Sequence, residues 1–194
     1  MESSEPLSSP NASHRLTYTE YIQQELSHSY EIKEGVVQIV PSPSVDHQQL
    51  ISHLHILLVQ DIPRTENIRV LFAPLDLIVQ KNPLQTYQPD IMLFRKEKGI
   101  VNEDRLVEGP PDLIVEVLSP GSRHKDYVEK RAVYENLGVP EYWIVDNETK
   151  SISRFFQNEQ NSYGWGELVR EGELTSQVYP FLTLSLDELF DPDT

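Results

Sequence analysis

The stretch that decides the fold is PPDLIVEVLSPGSRHKDYVEKRAVYENLGVPEYWIVD, residues 110–146. Residues 112–119 form a near-continuous apolar run, which is typical of a strand buried on both faces. Residues 122–137 then show helical spacing of apolar positions, and Gly138 follows as a stop signal. A second apolar run, residues 141–146, predicts another strand. This strand–helix–strand order predicts a mixed α/β fold with helices packed on a central sheet.

The segments upstream and downstream extend the same architecture. Ser44 is a suitable N-cap for a helix that Pro63 ends, because apolar residues recur behind it at helical spacing. We interpret residues 17–34 as a short helix followed by a turn, and residues 97–111 as a charged loop. Further strands are predicted at 36–40, 68–79, 88–94 and 151–156, with short additional strands and a final helical turn towards the C-terminus.

The domain boundaries follow from composition. Residues 1–16, rich in Ser, Pro and Asn, are expected to be a disordered lead-in, and residues 17–194 a single domain. No apolar run reaches the roughly 18 residues of a membrane span, and the N-terminus lacks the pattern of a secretory signal. The chain has no cysteine, which excludes disulfides and thiolate chemistry. We therefore expect a cytoplasmic location without membrane association.

The charge balance bears on the partners of the chain. With 16 Lys+Arg against 31 Asp+Glu, the formal net charge is −15. Such a chain has no global attraction for nucleic acid, since that attraction depends on lysine and arginine neutralising phosphates. The nearest basic cluster comprises Arg123, His124, Lys125, Lys130 and Arg131. Binding to DNA would need this cluster, or metal ions.

Two carboxylates lie inside apolar strand-like runs, Asp90 in YQPDIMLF (87–94) and Glu116 in DLIVEVLSP (112–120). Along a strand, alternate residues share a face, so Glu116 points the same way as Ile114. Two carboxylates on neighbouring strands repel each other, and either one keeps a proton or a cation lies between them. Mg²⁺ and similar hard cations, Mn²⁺ included, prefer such oxygen ligands.

These residues carry a family resemblance. Pro89-Asp90 followed by Glu116-Val117-Leu118 resembles the PD-(D/E)XK nuclease motif, with Leu118 in place of the lysine. The longer string over residues 88–146 closely resembles a large family of short restriction-endonuclease-like proteins in that superfamily, whose members usually lack the same lysine. The resemblance implies a restriction-endonuclease-like fold, Mg²⁺-dependent hydrolysis of DNA phosphodiesters, and a homodimer.

The resemblance extends more loosely back to Tyr30. Many members of the family carry an acid just after a glycine near the start, where this chain has Val36. A third acidic ligand is therefore left open by the sequence.

The missing lysine has a candidate on the helix that follows Glu116. On a helical wheel Tyr127 and Tyr134 belong to an apolar arc of roughly 120°, and Lys130 lies in its middle. In some PD-(D/E)XK families the lysine has moved to this helix, so the resemblance implies that Lys130 takes its place. Asp126, four residues earlier, is expected to pair with Lys130 and orient it.

Simpler structural roles compete with these interpretations. Asp90 can cap a turn after Pro89, and Glu116 and Lys130 can form a structural ion pair. Asp112, in a second Pro-Asp pair, is expected to serve a turn at a strand start. His47 faces either the core or the site, where it would assist. The aromatic residues Tyr134, Tyr142 and Trp143 are expected in the core.

Three functions remain open from the sequence. The first is a metal-dependent DNA endonuclease in which Asp90 and Glu116 bind Mg²⁺ or Mn²⁺ and Lys130 positions the attacking water and stabilises the transition state. The second is a catalytically inactive nuclease-fold protein with a binding or regulatory role, which the net charge and Val36 favour. The third is a hydrolase acting on a substrate smaller than DNA.

Overall fold

A computed structural model describes residues 15–23, 30–97, 100–102 and 106–191. Within these ranges the strands form two six-stranded sheets and one two-stranded sheet. The central sheet is mixed and carries helices on both faces, as the strand–helix–strand pattern predicts. The predicted lead-in, residues 1–16, lies mostly outside the described residues. Leu16 of that segment is buried against the domain, so the packed chain starts before residue 17.

The central sheet is built around the stretch that decides the fold. Its strand order is β12-β11-β10-β9-β6-β3. Strands β9 and β10 are parallel neighbours joined through the intervening helix, whereas the other pairs are antiparallel. The strands are β3 (Ile68–Phe72), β6 (Ile91–Arg95), β9 (Leu113–Val117), β10 (Glu141–Asp146), β11 (Ser151–Phe156) and β12 (Glu167–Val169).

The second sheet contains several strands that the sequence analysis does not predict. Its order is β2-β1-β5-β4-β8-β7. Strand β1 occupies part of the segment interpreted as helix and turn, and β7 and β8 lie in the segment interpreted as a loop. The strands are β1 (Tyr30–Lys33), β2 (Val36–Ile39), β4 (Asp76–Lys81), β5 (Leu84–Tyr87), β7 (Ile100–Asn102) and β8 (Leu106–Glu108). The small third sheet pairs β13 (Glu173–Thr175) with β14 (Thr183–Ser185).

Helices Val45–Asp61 and Leu186–Phe190 and the helical segment between β9 and β10 cover the central sheet, whereas helix Tyr18–Ile22 packs against the second sheet. The N-cap Ser44 accepts a hydrogen bond from the His47 backbone N–H, as its position predicts. Between β9 and β10 the chain first forms a π-helix (Lys125–Lys130) and only then an α-helix, which ends at Gly138 in the left-handed conformation. The α-helices are α1 (Tyr18–Ile22), α2 (Val45–Asp61), α3 (Arg131–Leu137) and α4 (Leu186–Phe190).

The two faces of β9 contact different helices. Leu113, Val115 and Val117 belong to the core cluster that contains the buried side of α2. Ile114 belongs to the opposite cluster, with Tyr134 of α3. Glu116 alternates with Val115 and Val117, so its side chain lies on the face covered by the π-helix and α3. In the described ranges, no helix combines the length and the apolar character needed to cross a bilayer.

Candidate active site

The centre of the candidate site is a buried ion pair between β9 and the π-helix. The Lys130 Nζ lies 2.8 Å from Glu116 Oε1, and both side chains are less than a tenth exposed. The same ammonium lies 3.4 Å from Asp126 Oδ1, which is the pairing expected at four residues' separation. Tyr134 donates a hydrogen bond of 2.7 Å to Glu116 Oε1. The prediction that Lys130 faces inward towards Glu116 is confirmed.

The local helix geometry differs from the regular wheel used in the sequence analysis. The segment Lys125–Lys130 has π-helical i→i+5 hydrogen bonding, and such turns occur frequently at functional sites. Asp126 and Lys130 are its two buried residues, while Val128 between them is 54% exposed. Both charged side chains that face Glu116 therefore come from the irregular part of the helix.

Asp90 reaches β9 from the neighbouring strand. It comes just before β6, whose Ile91 pairs with Val115 in an antiparallel register, so Asp90 lies beside the Glu116 end of β9. Its Oδ2 accepts a hydrogen bond of 2.7 Å from the Val117 backbone N–H. The prediction that the strands carrying Asp90 and Glu116 are sheet neighbours is confirmed.

His47 approaches the same point from the opposite face. Helix α2 places the His47 Nε2 2.9 Å from the Val117 carbonyl oxygen and 3.5 Å from Asp90 Oδ2. The Nδ1 atom is buried and has no hydrogen-bond partner among the described residues. The sequence left open whether His47 faces the core or the site. In the structure it lies beside Asp90, in the candidate site.

The electrostatics of the site reflect burial and crowded carboxylates. Burial raises the pKa of Glu116 to about 8; Lys130 opposes this shift, and Asp90 and Asp126 add to it. Burial by itself would lower the pKa of Lys130, but the surrounding carboxylates, Glu116 first, raise it above the usual range. The contact with Asp90 raises the pKa of His47, against the effect of burial.

Two residues join the site that the sequence analysis does not identify. Glu31 on β1 is buried and forms an ion pair with Lys125 of the π-helix, and its charge also raises the pKa of Lys130. Tyr134 is buried, as predicted for a core residue, but its hydroxyl binds the carboxylate of Glu116. The signal for Glu31 is an acid inside YEIK, where it alternates with Tyr30 and Ile32.

Other acids of interest have structural surroundings. Asp112 accepts hydrogen bonds from the Arg95 backbone N–H (3.0 Å) and the Tyr179 hydroxyl (2.9 Å), which matches its predicted structural role. Val36, at the position where the resemblance implies an acid, is 41% exposed on β2.

The carboxylates of Asp90 and Glu116 are oxygen ligands of the kind that a hard divalent cation prefers. Among the described residues, no group of three or more acidic or histidine side chains is arranged to hold a metal ion. Mg²⁺ nevertheless needs only one or two carboxylates, since it keeps several waters. Asp90 retains 15% exposure and can be reached from solvent. Burial is the main cause of the raised pKa of Glu116, and the nearby carboxylates of Asp90 and Asp126 add to it, so a cation beside Glu116 would favour its ionised form.

Comparisons with known proteins agree with this fold. A crystal structure of a "putative nuclease belonging to DUF820" from Anabaena variabilis matches with a TM-score of 0.71, at 20% identity, over 90% of this chain and 97% of its own. At this identity the match establishes the restriction-endonuclease-like fold. An uncharacterised protein of Synechocystis sp. is 25% identical over 134 residues, which cover 68% of this chain and 75% of that protein.

The family match covers more of the sequence. The model of the Uma2 family, described as "Putative restriction endonuclease", matches residues 16–187. This range includes Pro89-Asp90, Glu116-Val117-Leu118, the π-helix and α3. The fold and the family together support a nuclease-like function. Because the match spans most of its length, the chain belongs to the Uma2 family.

Proposed function

We propose that this protein is a metal-dependent DNA endonuclease whose site consists of Asp90, Glu116 and Lys130. The observation that carries the proposal is the buried Lys130–Glu116 pair, 2.8 Å long, in a chain of the Uma2 family. The usual motif would place an ammonium at position 118, where this chain has Leu118. Lys130 brings an ammonium to the same carboxylate from the π-helix instead.

A divalent cation, Mg²⁺ or Mn²⁺, would be held by Asp90 and Glu116. When bound, such an ion would polarise phosphoryl oxygens and lower the pKa of a bound water, which makes hydroxide more available. A cation at this point would offset the effects of burial and of the Asp90 and Asp126 carboxylates on Glu116, and so would stabilise its ionised form.

The residues of the chain orient the reacting groups. Tyr134 and Lys130 both contact Oε1 of Glu116 and so fix the plane of its carboxylate. An ammonium has three donors, and Glu116 and Asp126 engage two of those of Lys130. The remaining donor can position a water or stabilise negative charge that develops on the phosphoryl group, in a site with little solvent.

Calorimetry with Mg²⁺ and Mn²⁺ tests the metal site. Wild type should bind one of these ions, and Glu116→Gln should weaken binding by at least about tenfold, because a carboxylate ligand becomes a neutral amide. Glu129→Gln is the matched control, since Glu129 precedes Lys130 on the π-helix but is more than a third exposed. Absence of binding to wild type, or an equal loss in both variants, would refute the assignment.

Cleavage of plasmid DNA tests the lysine. Lys130→Ala should lower the rate by about a hundredfold, which is the usual effect of removing one stabilising donor from an active site. The folded state of the variant is checked by circular dichroism. Unchanged cutting by a folded Lys130→Ala variant would show that this residue is not the relocated lysine.

A second candidate is a nuclease-fold binding or regulatory protein that no longer cuts. The formal net charge of −15 favours it, because such a charge repels the DNA backbone. Absence of cleavage by the folded wild type, at any Mg²⁺ or Mn²⁺ concentration, would select this candidate. We also propose a homodimer, by which two sites would cut both strands, and sedimentation analysis would detect it.

A further inference from the structure

An open groove lies on the outer side of the helix that carries Lys130. It has a volume of about 550 Å³ and runs between this helix and the loop that follows β11. Lys130 and Asp126 face the opposite way, towards Glu116, so the groove is separate from the candidate active site. Its lining includes Tyr127, Val128, Arg131, Glu135, Gly164 and Trp165.

Trp165 is the most conspicuous residue of this groove. Its side chain is fully exposed, at 100%, whereas the other tryptophan, Trp143, is completely buried. A large aromatic ring left in water is unfavourable unless something covers it, and it offers a flat π-face. Val128, also on the groove, is half exposed, so the apolar surface extends beyond the indole ring.

Arg131 supplies the positive charge. Its guanidinium lies 4.7 Å from the centre of the Phe155 ring, and its Nη2 donates a 2.6 Å hydrogen bond to the Gly164 carbonyl. Its Nε is buried without a hydrogen-bond partner. Within the described ranges, no carboxylate lies at ion-pair distance from Arg131, in contrast to Arg123, Lys125 and Lys130 on the same helical segment.

The one acid that lines the groove is already engaged. Glu135 accepts hydrogen bonds from the Tyr163 backbone N–H (3.0 Å) and the Ser162 hydroxyl (3.3 Å), and so holds the loop. A second guanidinium, that of Arg123, lies 5.8 Å from the Tyr127 ring at the edge of the groove. The groove therefore combines an exposed indole ring, an unpaired cation and a satisfied acid.

We propose that this groove binds single-stranded nucleic acid, with a base stacked on Trp165 and a phosphate at Arg131. Base stacking on aromatic side chains beside a cationic contact is the general mode of sequence-tolerant single-strand binding. The groove opens to solvent, which suits a segment of a polymer better than an enclosed small molecule. The inference goes beyond the proposed function, because binding here requires neither a metal ion nor Lys130.

Fluorescence of the full chain provides the test. A single-stranded oligothymidylate of about eight nucleotides, within the usual site size, is titrated at low salt without divalent ions. Trp143 is buried, so stacking on Trp165 should appear as quenching of the exposed tryptophan. Anisotropy of a labelled oligonucleotide should then show affinity about tenfold weaker for Trp165→Leu and for Arg131→Gln.

Matched variants separate the possible outcomes. Phe156→Leu alters another exposed aromatic side chain, outside the groove, and should bind like wild type. Asp90→Asn, altered only in the candidate active site, should also bind normally, even if it no longer cuts. Affinities of Trp165→Leu and Arg131→Gln within twofold of wild type would overturn the proposal.

Two further results would overturn the proposal and assign a different occupant to the groove. Equally tight binding of thymidine monophosphate would indicate a nucleotide pocket and not a strand-binding groove. Sedimentation that shows a dimer of wild type, and a monomer of Trp165→Leu, would assign the groove to a second copy of the chain.

Discussion

Replacing Lys130 by methionine should destabilise the protein far more than removing a comparable surface lysine. The substitution keeps most of the apolar volume and deletes the ammonium that faces Glu116 and Asp126. Lys33→Met is the matched control. Lys33 Nζ lies 2.7 Å from Glu129 Oε2, nearly the same distance, but the two side chains are 48% and 38% exposed.

Burial sets the expected magnitudes. Breaking a buried ion pair by removing one partner costs about 3–5 kcal/mol, because the other charge remains without compensation. We expect about 3 kcal/mol for Lys130→Met, at the lower end, since Glu116 already has a raised pKa and can take up a proton, and Tyr134 still donates to it. For Lys33→Met we expect about 0–1 kcal/mol, because exposed pairs contribute little.

Urea unfolding followed by the emission of buried Trp143 measures both free energies of unfolding. A double-mutant cycle with Glu116→Gln should give a coupling of about 1–3 kcal/mol, because the double variant no longer leaves Glu116 as an unpaired charge, while Asp126 loses its ion pair both in Lys130→Met and in the double variant. The reasoning is refuted if Lys130→Met and Lys33→Met differ by less than about 1 kcal/mol.

Further predictions concern the surroundings of the site. The contact with Asp90 raises the pKa of His47 above 6.5, so its stabilising contribution is complete below pH 6.5 and is lost as the pH rises through the raised value. The stability difference between wild type and His47→Gln, measured by urea unfolding across this range, should therefore shrink towards high pH; a constant difference would contradict the assignment. Gly166→Ala should cost about 1–3 kcal/mol, because a Cβ would lie 2.3 Å from the Phe155 ring. Adding Phe155→Leu should recover part of that loss in the same assay. Glu141→Ala should lower the melting temperature by several degrees, since this buried carboxylate accepts four hydrogen bonds; a shift of under a degree would argue against that role.

The central strand–helix–strand unit could be predicted because its signals are local. The apolar run that became β9 and the one that became β10 each read as a buried strand without knowledge of their partners. Gly138 stopped the helix as expected, in the left-handed conformation that glycine adopts without strain.

The second sheet could not be predicted in the same way. Its strands are short and partly charged, and their stability depends on partners far along the chain. Strand β1, for example, pairs with β5 through Ile32 and Thr86, which no local pattern links. Strands β7 and β8, three residues each, are too short to show a period of two.

In the candidate site, too, the residues with local signals could be predicted, and those that depend on distant partners could not. Helical spacing was enough to place Lys130 inward and Asp126 beside it. Glu31 was missed because its approach to Lys125 requires β1, which was itself not predicted. The role of the Tyr134 hydroxyl was missed because a tyrosine within an apolar arc reads as core from sequence alone, and a ring can be core at one end and a hydrogen-bond donor at the other.

The π-helix suggests how such a site could arise by descent. Its hydrogen bonds span one residue more than those of an α-helix, so it is equivalent to an α-helix that has gained a residue within a turn. One insertion rotates the positions before it relative to those after it, while α3 and its packing stay in register. A lysine can thus be brought to face a carboxylate on the adjacent strand in a single step, without rebuilding the sheet. The same geometry makes the segment sensitive to length, because deletion of one residue between Asp126 and Lys130 would change the rotation of Asp126 relative to Lys130 and α3.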